Sequence, residues 1–383
     1  MQMKEMFKYV KGDLVIWMIV ILLSVISVLA VYSSVESLAY RNHSGDAGYY
    51  LIKHTTIVLF GFLLIYLAHK VKYTYYSRLS QVALYICIPL LLLTLFKGVN
   101  EGNATRWLQI PGTGLTFQTS DFAKLALLIY VARMLALKQE QIKDWKTGFL
   151  PVVIPVFLVC GLIFPSNFST AFLLFINCLF LLFLGKARIT HLLLTVGMAV
   201  SCGALFLLLI FAFPHLNNRA ATWKSRIENF EKGSKENNFQ VNQAMMAIAT
   251  GGTLGKGPGN SIQKNFLPQA FSDFIYAILV EEYGLVMGLL MVFLYLTLLY
   301  RGVRIATRNP KAFGSLLVIG LSLSLVMQAL VNMCVAVHLL PVTGQPLPLV
   351  SMGGTSIWFT SIAIGIILSV SKETETELSV ATT

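Results

Sequence analysis

Charge is what this 383-residue chain has least of. Asp, Glu, Lys and Arg make up 12% of it, while hydrophobic residues reach 56%. Soluble domains carry roughly a quarter charged residues, which they need to cover their surface. Two or three soluble domains are therefore excluded, although the length would allow them. A mean hydropathy of +0.73 agrees, and a polytopic membrane protein is expected. Cysteine is scarce as well. Cys87, Cys160, Cys178, Cys202 and Cys334 all lie in apolar runs without CxxC spacing, which speaks against a disulfide framework or a zinc site. The six histidines are scattered, with no metal-ligand pairing and no Ser-His-Asp set. Acidic residues number 17 against 29 Lys and Arg, a net charge of +12. No basic cluster interleaved with aromatics accompanies that excess. It reads as cytoplasmic loop charge, not as a nucleic-acid surface.

What the chain has in abundance is long apolar runs. A spanning helix needs about 20 mostly apolar residues. Ten stretches qualify, near 14–36, 48–69, 79–96, 119–137, 148–164, 169–185, 192–213, 274–300, 314–338 and 356–371. The first follows Lys4, Lys8 and Lys11, is too long for a signal-peptide core and lacks a cleavage site, so it is read as a retained span. With the N-terminus inside, the inner segments hold sixteen Lys and Arg and the short outer ones three. Both termini are thus expected in the cytoplasm. The fold class expected is all-α: one membrane domain over 1–383, about ten transmembrane helices, and one large extracytoplasmic loop, 214–273.

Three outer segments stand out. Residues 97–118 hold Arg106, Trp107 and a Pro-Gly turn. The 214–273 loop is long enough to be functional or disordered, and its periodic run 241–249 predicts an amphipathic helix at the outer surface. Residues 339–355, rich in Pro and Gly, predict a rigid re-entrant turn, tolerated only inside protein or a wet cavity. No internal repeat is evident, which counts against the repeat-built transporter folds.

Charges within spans are costly and tend to be paired or functional. Asp121 and Lys124, i and i+3, share a face of the fourth helix, which Ser120 can cap. They either anchor that helix or contact a ligand. Asp273 sits where the long loop enters the eighth helix. Ser272 can supply the cap, which leaves Asp273 available for function. Glu281 follows about 12 Å further along and about 80° round the helix, with Glu282 facing nearly the opposite way. These two carboxylates can bind a cation, take up a proton or bond to neighbouring helices. The segment 251–259 is no P-loop, since Gly257 follows Lys256 where Ser or Thr is required. Its glycines would still let backbone N–H groups approach an anion. Lys256, Lys264, Arg106, Arg219, Lys224 and Arg226 add positive charge to the same outer face.

In this order the motifs resemble the SEDS family, the shape, elongation, division and sporulation proteins typified by RodA and FtsW. The resemblance covers nearly the whole chain. It is carried by Arg106-Trp107-Leu108; by Phe117-Gln118-Thr119-Ser120-Asp121-Phe122-Ala123-Lys124; by the glycines 251–259; by Ser261-Ile262-Gln263-Lys264; by Ser272-Asp273-Phe274; by Glu281-Glu282-Tyr283-Gly284; and by Pro341 to Pro348 with Ser351-Met352-Gly353-Gly354. It implies a peptidoglycan glycosyltransferase that polymerises lipid II at the outer face of the bacterial cytoplasmic membrane. The implied partners are the growing glycan strand, a class B penicillin-binding protein, other divisome proteins and membrane lipid. Asp273 matches the family's catalytic aspartate. Substrate-binding roles fall on Arg106, Gln118, Ser120, Lys124, Lys256, Lys264 and Ser351, with Asp121, Glu281 and Glu282 in support. The sequence departs from the family pattern at Gln269, at Phe271-Ser272, at Asn167 and at Asp121, where Glu, His-Thr, Asp and Glu are common. Tyr32-Ser33-Ser34 and Leu38-Ala39-Tyr40-Arg41 look more like FtsW than RodA, implying a septal division role with elongation as the alternative.

The mechanism expected from this is inverting transfer. The acceptor's GlcNAc 4-hydroxyl attacks the anomeric carbon of the donor's MurNAc, and undecaprenyl pyrophosphate leaves. Asp273 takes or orients the hydroxyl proton. Arg106, Lys124 and Lys256 offset the charge on the pyrophosphate. No cofactor is implied with certainty, and a divalent cation, Mg or Mn, could share the task. The rival readings are a lipid transporter or flippase and a scaffold that only recruits a transpeptidase. The unusual segments gather on the outer face while the inner loops are short and plain, which favours outer-face chemistry over alternating access.

Overall fold

Each of the ten apolar stretches lies on an α-helix in the computed structural model, which describes residues 11–35, 47–101, 104–109, 116–212, 239–267 and 270–381. In chain order the helices are α1 (Leu14–Ser34), α2 (Ala47–Lys70), α3 (Tyr73–Lys97), α4 (Thr119–Leu137), α5 (Leu150–Ile163), α6 (Phe168–Leu184), α7 (Ile189–Ala212), α8 (Phe239–Gly251), α9 (Ile275–Arg308), α10 (Ala312–Ala336) and α11 (Thr355–Ala381). Seven are long and apolar enough to cross a membrane: α1 to α3, α5 with the π-helical turn Trp145–Phe149 that leads into it, and α9 to α11. α6 and the first part of α7 are shorter apolar helices. α4 holds Asp121, Lys124 and Arg133 within its 19 residues.

The segment before α4 is not a plain loop. Val99–Glu101, Ala104–Gln109 and Thr116–Gln118 form a three-stranded antiparallel sheet, β1-β2-β3. Trp107 stands opposite Val99 on one side and Gln118 on the other. The all-α architecture holds, with this small sheet as an addition that the sequence did not show. Strands of three to six residues offer too little alternation to be read between two long apolar runs. The sheet joins α3 to α4 and carries Arg106 to the bundle's outer end.

Local chemistry sets the helix ends. Asp13 caps α1, its Oδ1 accepting from the N–H groups of Val15 and Ile16 at 3.0 and 3.2 Å. Its Oδ2 accepts from Arg301 Nε of α9 at 2.7 Å. Asn167 caps α6 through Thr170 N–H at 3.2 Å, at the tight turn that joins α5 to α6. At the opposite end of the bundle, beside Asp13 and Arg301, Lys311 pairs with Glu377 at 2.5 Å, and Asn309 Nδ2 donates to Thr374 Oγ1 at 2.8 Å. The inner ends of α1, α9, α10 and α11 are thereby tied together.

The predicted amphipathic run becomes α8. Its buried face, Val241, Ala244, Ala247 and Gly251, packs against α9. α9 itself is two helical pieces joined at Gly284, whose φ of 77° and ψ of −178° break the helix. The turn after α10 enters the bundle as expected. Leu347, Leu349, Val350 and Ser351 are buried. Ser27 Oγ of α1 donates to Val350 O at 2.8 Å, and Tyr295 Oη of α9 donates to Pro348 O at 2.5 Å.

Candidate functional site

The outer end of the bundle collects the N-terminus of α9, the sheet, the N-termini of α4 and α6, the outer half of α10 and the Pro-rich turn. Asp273 lies at the entry to α9, half-buried. It does not cap that helix, and neither does Ser272. The N-cap is Phe274, without a side-chain bond, and Ser272 Oγ donates instead to Asp273 Oδ1 at 3.1 Å. The carboxylate is thus held beside the helix entry and does not cap it.

Arg106 faces the same place. Gly344, with φ +65°, is the pivot: a Cβ built there would stand 3.5 Å from Arg106 Nη1 and 3.5 Å from Asp273 Oδ2. The guanidinium and the carboxylate converge over this glycine, and any side chain in its place would sit between them. Arg106 Nε donates to Ser166 O at 3.1 Å, which fixes the guanidinium to the α5–α6 turn.

Lys124 lies deeper. Its Nζ donates to Gln328 Oε1 of α10 at 2.8 Å and lies 3.5 Å from Asp121 Oδ1. Asp121 is buried, and its Oδ2 has no hydrogen-bond partner among the described residues. Lys124 also sits between two clefts. One is lined by Leu128, Leu325, Phe359 and Thr360, the other by Thr170, Leu174, Met327 and Gln345. Each pairs an apolar wall with a few polar groups, a lining suited to a chain that is greasy at one end and charged at the other.

Gln118 and Ser120 are nearby and face inward. Gln118 is the N-cap of α4, its N–H donating to Thr355 Oγ1 at 3.3 Å and its Nε2 to Ser120 Oγ at 3.1 Å. Ser120 therefore does not cap α4 as expected. Ser351 is buried, accepting from Leu347 N–H at 2.7 Å and donating to Ser272 O at 2.6 Å. It braces the strand of chain that ends at Asp273 and offers no exposed hydroxyl to a substrate.

The glycine segment is placed otherwise than the sequence suggested. Lys256 Nζ bonds Glu281 Oε1 at 2.6 Å, and Glu281 is fully buried. That carboxylate also accepts from Ser261 Oγ at 2.5 Å and from the N–H groups of Ile262 and Gln263 at 3.3 and 3.2 Å. Lys264 is buried too, donating to Gly259 O at 2.9 Å. The backbone N–H groups that looked available to an anion are spent on α9: Lys256 N–H and Gly257 N–H donate to Glu281 O and Glu282 O, both at 2.9 Å. The kink at Gly284 frees those carbonyls, and only glycine at 251 and 255 lets the segment approach, since Cβ atoms there would come within 2.2 Å of α9 carbonyl oxygens. Lys256, Lys264 and Glu281 thus form a cluster of their own. Glu282, also buried, accepts from Ser33 Oγ of α1 and belongs to helix packing. Arg219, Lys224, Arg226, Gln269 and the 38–41 loop lie outside the described residues.

Four neutral residues that the reading of charges passed over complete the site. Gln328 and Asn332, four apart on α10, grip the Pro-rich turn. Gln328 Nε2 donates to Pro346 O at 2.9 Å, and Asn332 Nδ2 donates to both Gln345 O and Asp273 O at 2.8 Å. Gln345 Nε2 in turn donates to Thr170 Oγ1 at 2.7 Å. The available signal was two carboxamides at i and i+4 in an otherwise apolar span, the spacing of a polar stripe. Among the described residues no three His, Cys, Asp or Glu side chains gather around a common point. Asp273 offers a single carboxylate at this end of the bundle.

The model of the FtsW, RodA and SpoVE family, described as cell cycle protein, matches residues 13–376. Stage V sporulation protein E of Bacillus subtilis is 31% identical over 372 residues, covering 95% of this chain and 98% of that protein. A probable peptidoglycan glycosyltransferase FtsW of Geobacter sulfurreducens is 31% identical over 375 residues, covering 97% of both. Among solved structures, a chain of a peptidoglycan synthase complex superposes with a TM-score of 0.73 at 24% identity, covering 94% of this chain and 98% of that one. The rod shape determining protein RodA of Thermus thermophilus gives 0.67 at 22% identity, covering 94% and 97%.

Proposed function

The chain belongs to the FtsW, RodA and SpoVE family of cell cycle proteins, and from that footing we infer that it is a peptidoglycan glycosyltransferase of the bacterial cytoplasmic membrane. It polymerises lipid II into glycan strands at the outer face, at the division septum. The observation that carries this reading is the convergence of Asp273 and Arg106 over Gly344, at the end of the bundle that loop charge assigns to the outside.

The chemistry follows from the side chains. The acceptor's 4-hydroxyl forms a bond to the donor's anomeric carbon from the face opposite the leaving group. The bond to undecaprenyl pyrophosphate breaks, and its electron pair leaves with the phosphate. Asp273 receives the hydroxyl proton. Arg106 and Lys124, fixed by Ser166 O and Gln328 Oε1, offer positive charge where the leaving pyrophosphate gains negative charge. The apolar clefts on either side of Lys124 suit the lipid tails. Lys256 and Lys264 take no part in this, being committed to the loop's own fold.

The flippase reading is the weaker one. Alternating access requires the inner ends to part, yet Asp13–Arg301, Asn309–Thr374 and Lys311–Glu377 join them. We further expect a single-span transpeptidase of the class B penicillin-binding type as partner, contacting lipid-facing helices and outer loops. Purified full-length protein incubated with fluorescent lipid II tests the whole reading. Polymer is expected; leaflet exchange without polymer would overturn it in favour of transport.

A further inference from the structure

We propose that Asn332 is the positioning residue that sets Asp273 at the reacting hydroxyl, a role that rests on reading Asp273 as the base. Three observations support it. Asn332 lies near the outer end of α10, is 1% exposed, and donates through one nitrogen to the main-chain oxygens of both Asp273 and Gln345, each at 2.8 Å. Both partners are acceptors only, so the NH₂ end of the amide must face them. Its Oδ1 is left enclosed without a partner among the described residues, a cost that an apolar residue at 332 would avoid. A buried amide kept at that cost is explained by what its nitrogen holds.

What it holds is main chain just outside a helix. Asp273 precedes the first residue of α9, and Phe274 at the N-cap makes no side-chain capping bond. The chain reaches Asp273 from a segment braced at Ser272 O by Ser351 and at Phe271 O by Met352 N–H, at 2.6 and 2.9 Å. Asn332 extends that bracing to Asp273 itself. It also grips Gln345, the neighbour of Gly344, over which Asp273 and Arg106 converge. One side chain therefore sets the carboxylate and the floor of its site relative to each other. One helical turn earlier on α10, Gln328 does the corresponding work for Lys124 and Pro346. The base and the deeper cation, on α9 and α4, are registered against one rigid helix face.

The test uses full-length protein in lipid nanodiscs with lipid II as substrate. Asn332→Leu keeps volume and removes the donor. kcat is expected to fall by about 10²-fold, the loss typical of an ångström-scale misplacement, with KM little changed. A second readout does not depend on activity. In Asp273→Cys protein, labelling at residue 273 by a charged thiol reagent, followed by mass spectrometry, should accelerate several-fold when Asn332→Leu is added. It should not change with Thr170→Val, which releases Gln345 from the same turn but leaves Asp273 held. Asn332→Ser, with a shorter polar side chain, carries both measurements if the Leu variant does not fold. Unchanged labelling with Asn332→Leu, or with Asn332→Ser, overturns the proposal whatever the activity. If Asp273→Asn still polymerises while labelling responds as expected, the base assignment fails and Asn332 loses its catalytic role with it.

Discussion

Lys256 and Glu281 are ion-paired at 2.6 Å across the junction between the glycine segment and the outer piece of α9, with Glu281 wholly buried. This pair turns a lysine that looked ready for a phosphate into part of a clasp. It also turns a carboxylate that looked like a reserve base into the clasp's acceptor. The loop that leads to Asp273 is anchored by it.

Removing the two partners should have unequal effects. Glu281→Ala strips the acceptor from Lys256, Ser261 and the backbone at 262 and 263, and should destabilise the protein by about 3–5 kcal/mol, the range for breaking a buried pair. Lys256→Met leaves the carboxylate its hydroxyl and backbone donors and should cost less. Thermal denaturation of the purified protein compares them. A Lys256→Met protein of normal stability that no longer polymerises lipid II would return Lys256 to the substrate.

Asp273→Asn keeps size and most hydrogen bonding and removes charge and basicity. Polymerisation should drop by about 10² or more, with folding retained because the helix cap at Phe274 does not involve this side chain. Near-normal strand synthesis by well-folded Asp273→Asn would move the base elsewhere.

Two glycines separate conformational need from motif membership. Gly284 has φ +77° and ψ −178°, and a Cβ there would lie 2.2 Å from Thr253 O. Gly284→Ala should lose about 1–3 kcal/mol from backbone strain alone, plus the clash. Gly252, at φ +58° with nothing within 4 Å, should lose only about 1–2 kcal/mol on Gly252→Ala. Chemical denaturation in detergent should rank them in that order; the reverse order would contradict the observed packing across the kink.

Sidedness can be checked with single cysteines in intact cells. Leu254→Cys, at a site 81% exposed on the outer segment, should react with an impermeant maleimide, whereas Lys143→Cys between α4 and α5 should not. Reversed labelling would invert the orientation.

The sequence by itself determined the spans, because lipid leaves a helix no option but about 20 apolar residues. Among the described residues all ten stretches fall on helices, and the surface helix expected at 241–249 is α8. Family membership was also legible, since motifs such as Arg106-Trp107 and Ser272-Asp273 are fixed in order along one chain. Tertiary structure alone decided partnership. That Glu281 accepts from a lysine 25 residues earlier, or that Asp273 O meets an amide 59 residues later, depends on how helices stack, which residue type does not encode. A charge in a span announces itself by its cost. Gln328, Asn332 and Gly344 do not, because an amide or a glycine costs little until the fold places a carbonyl or a guanidinium against it.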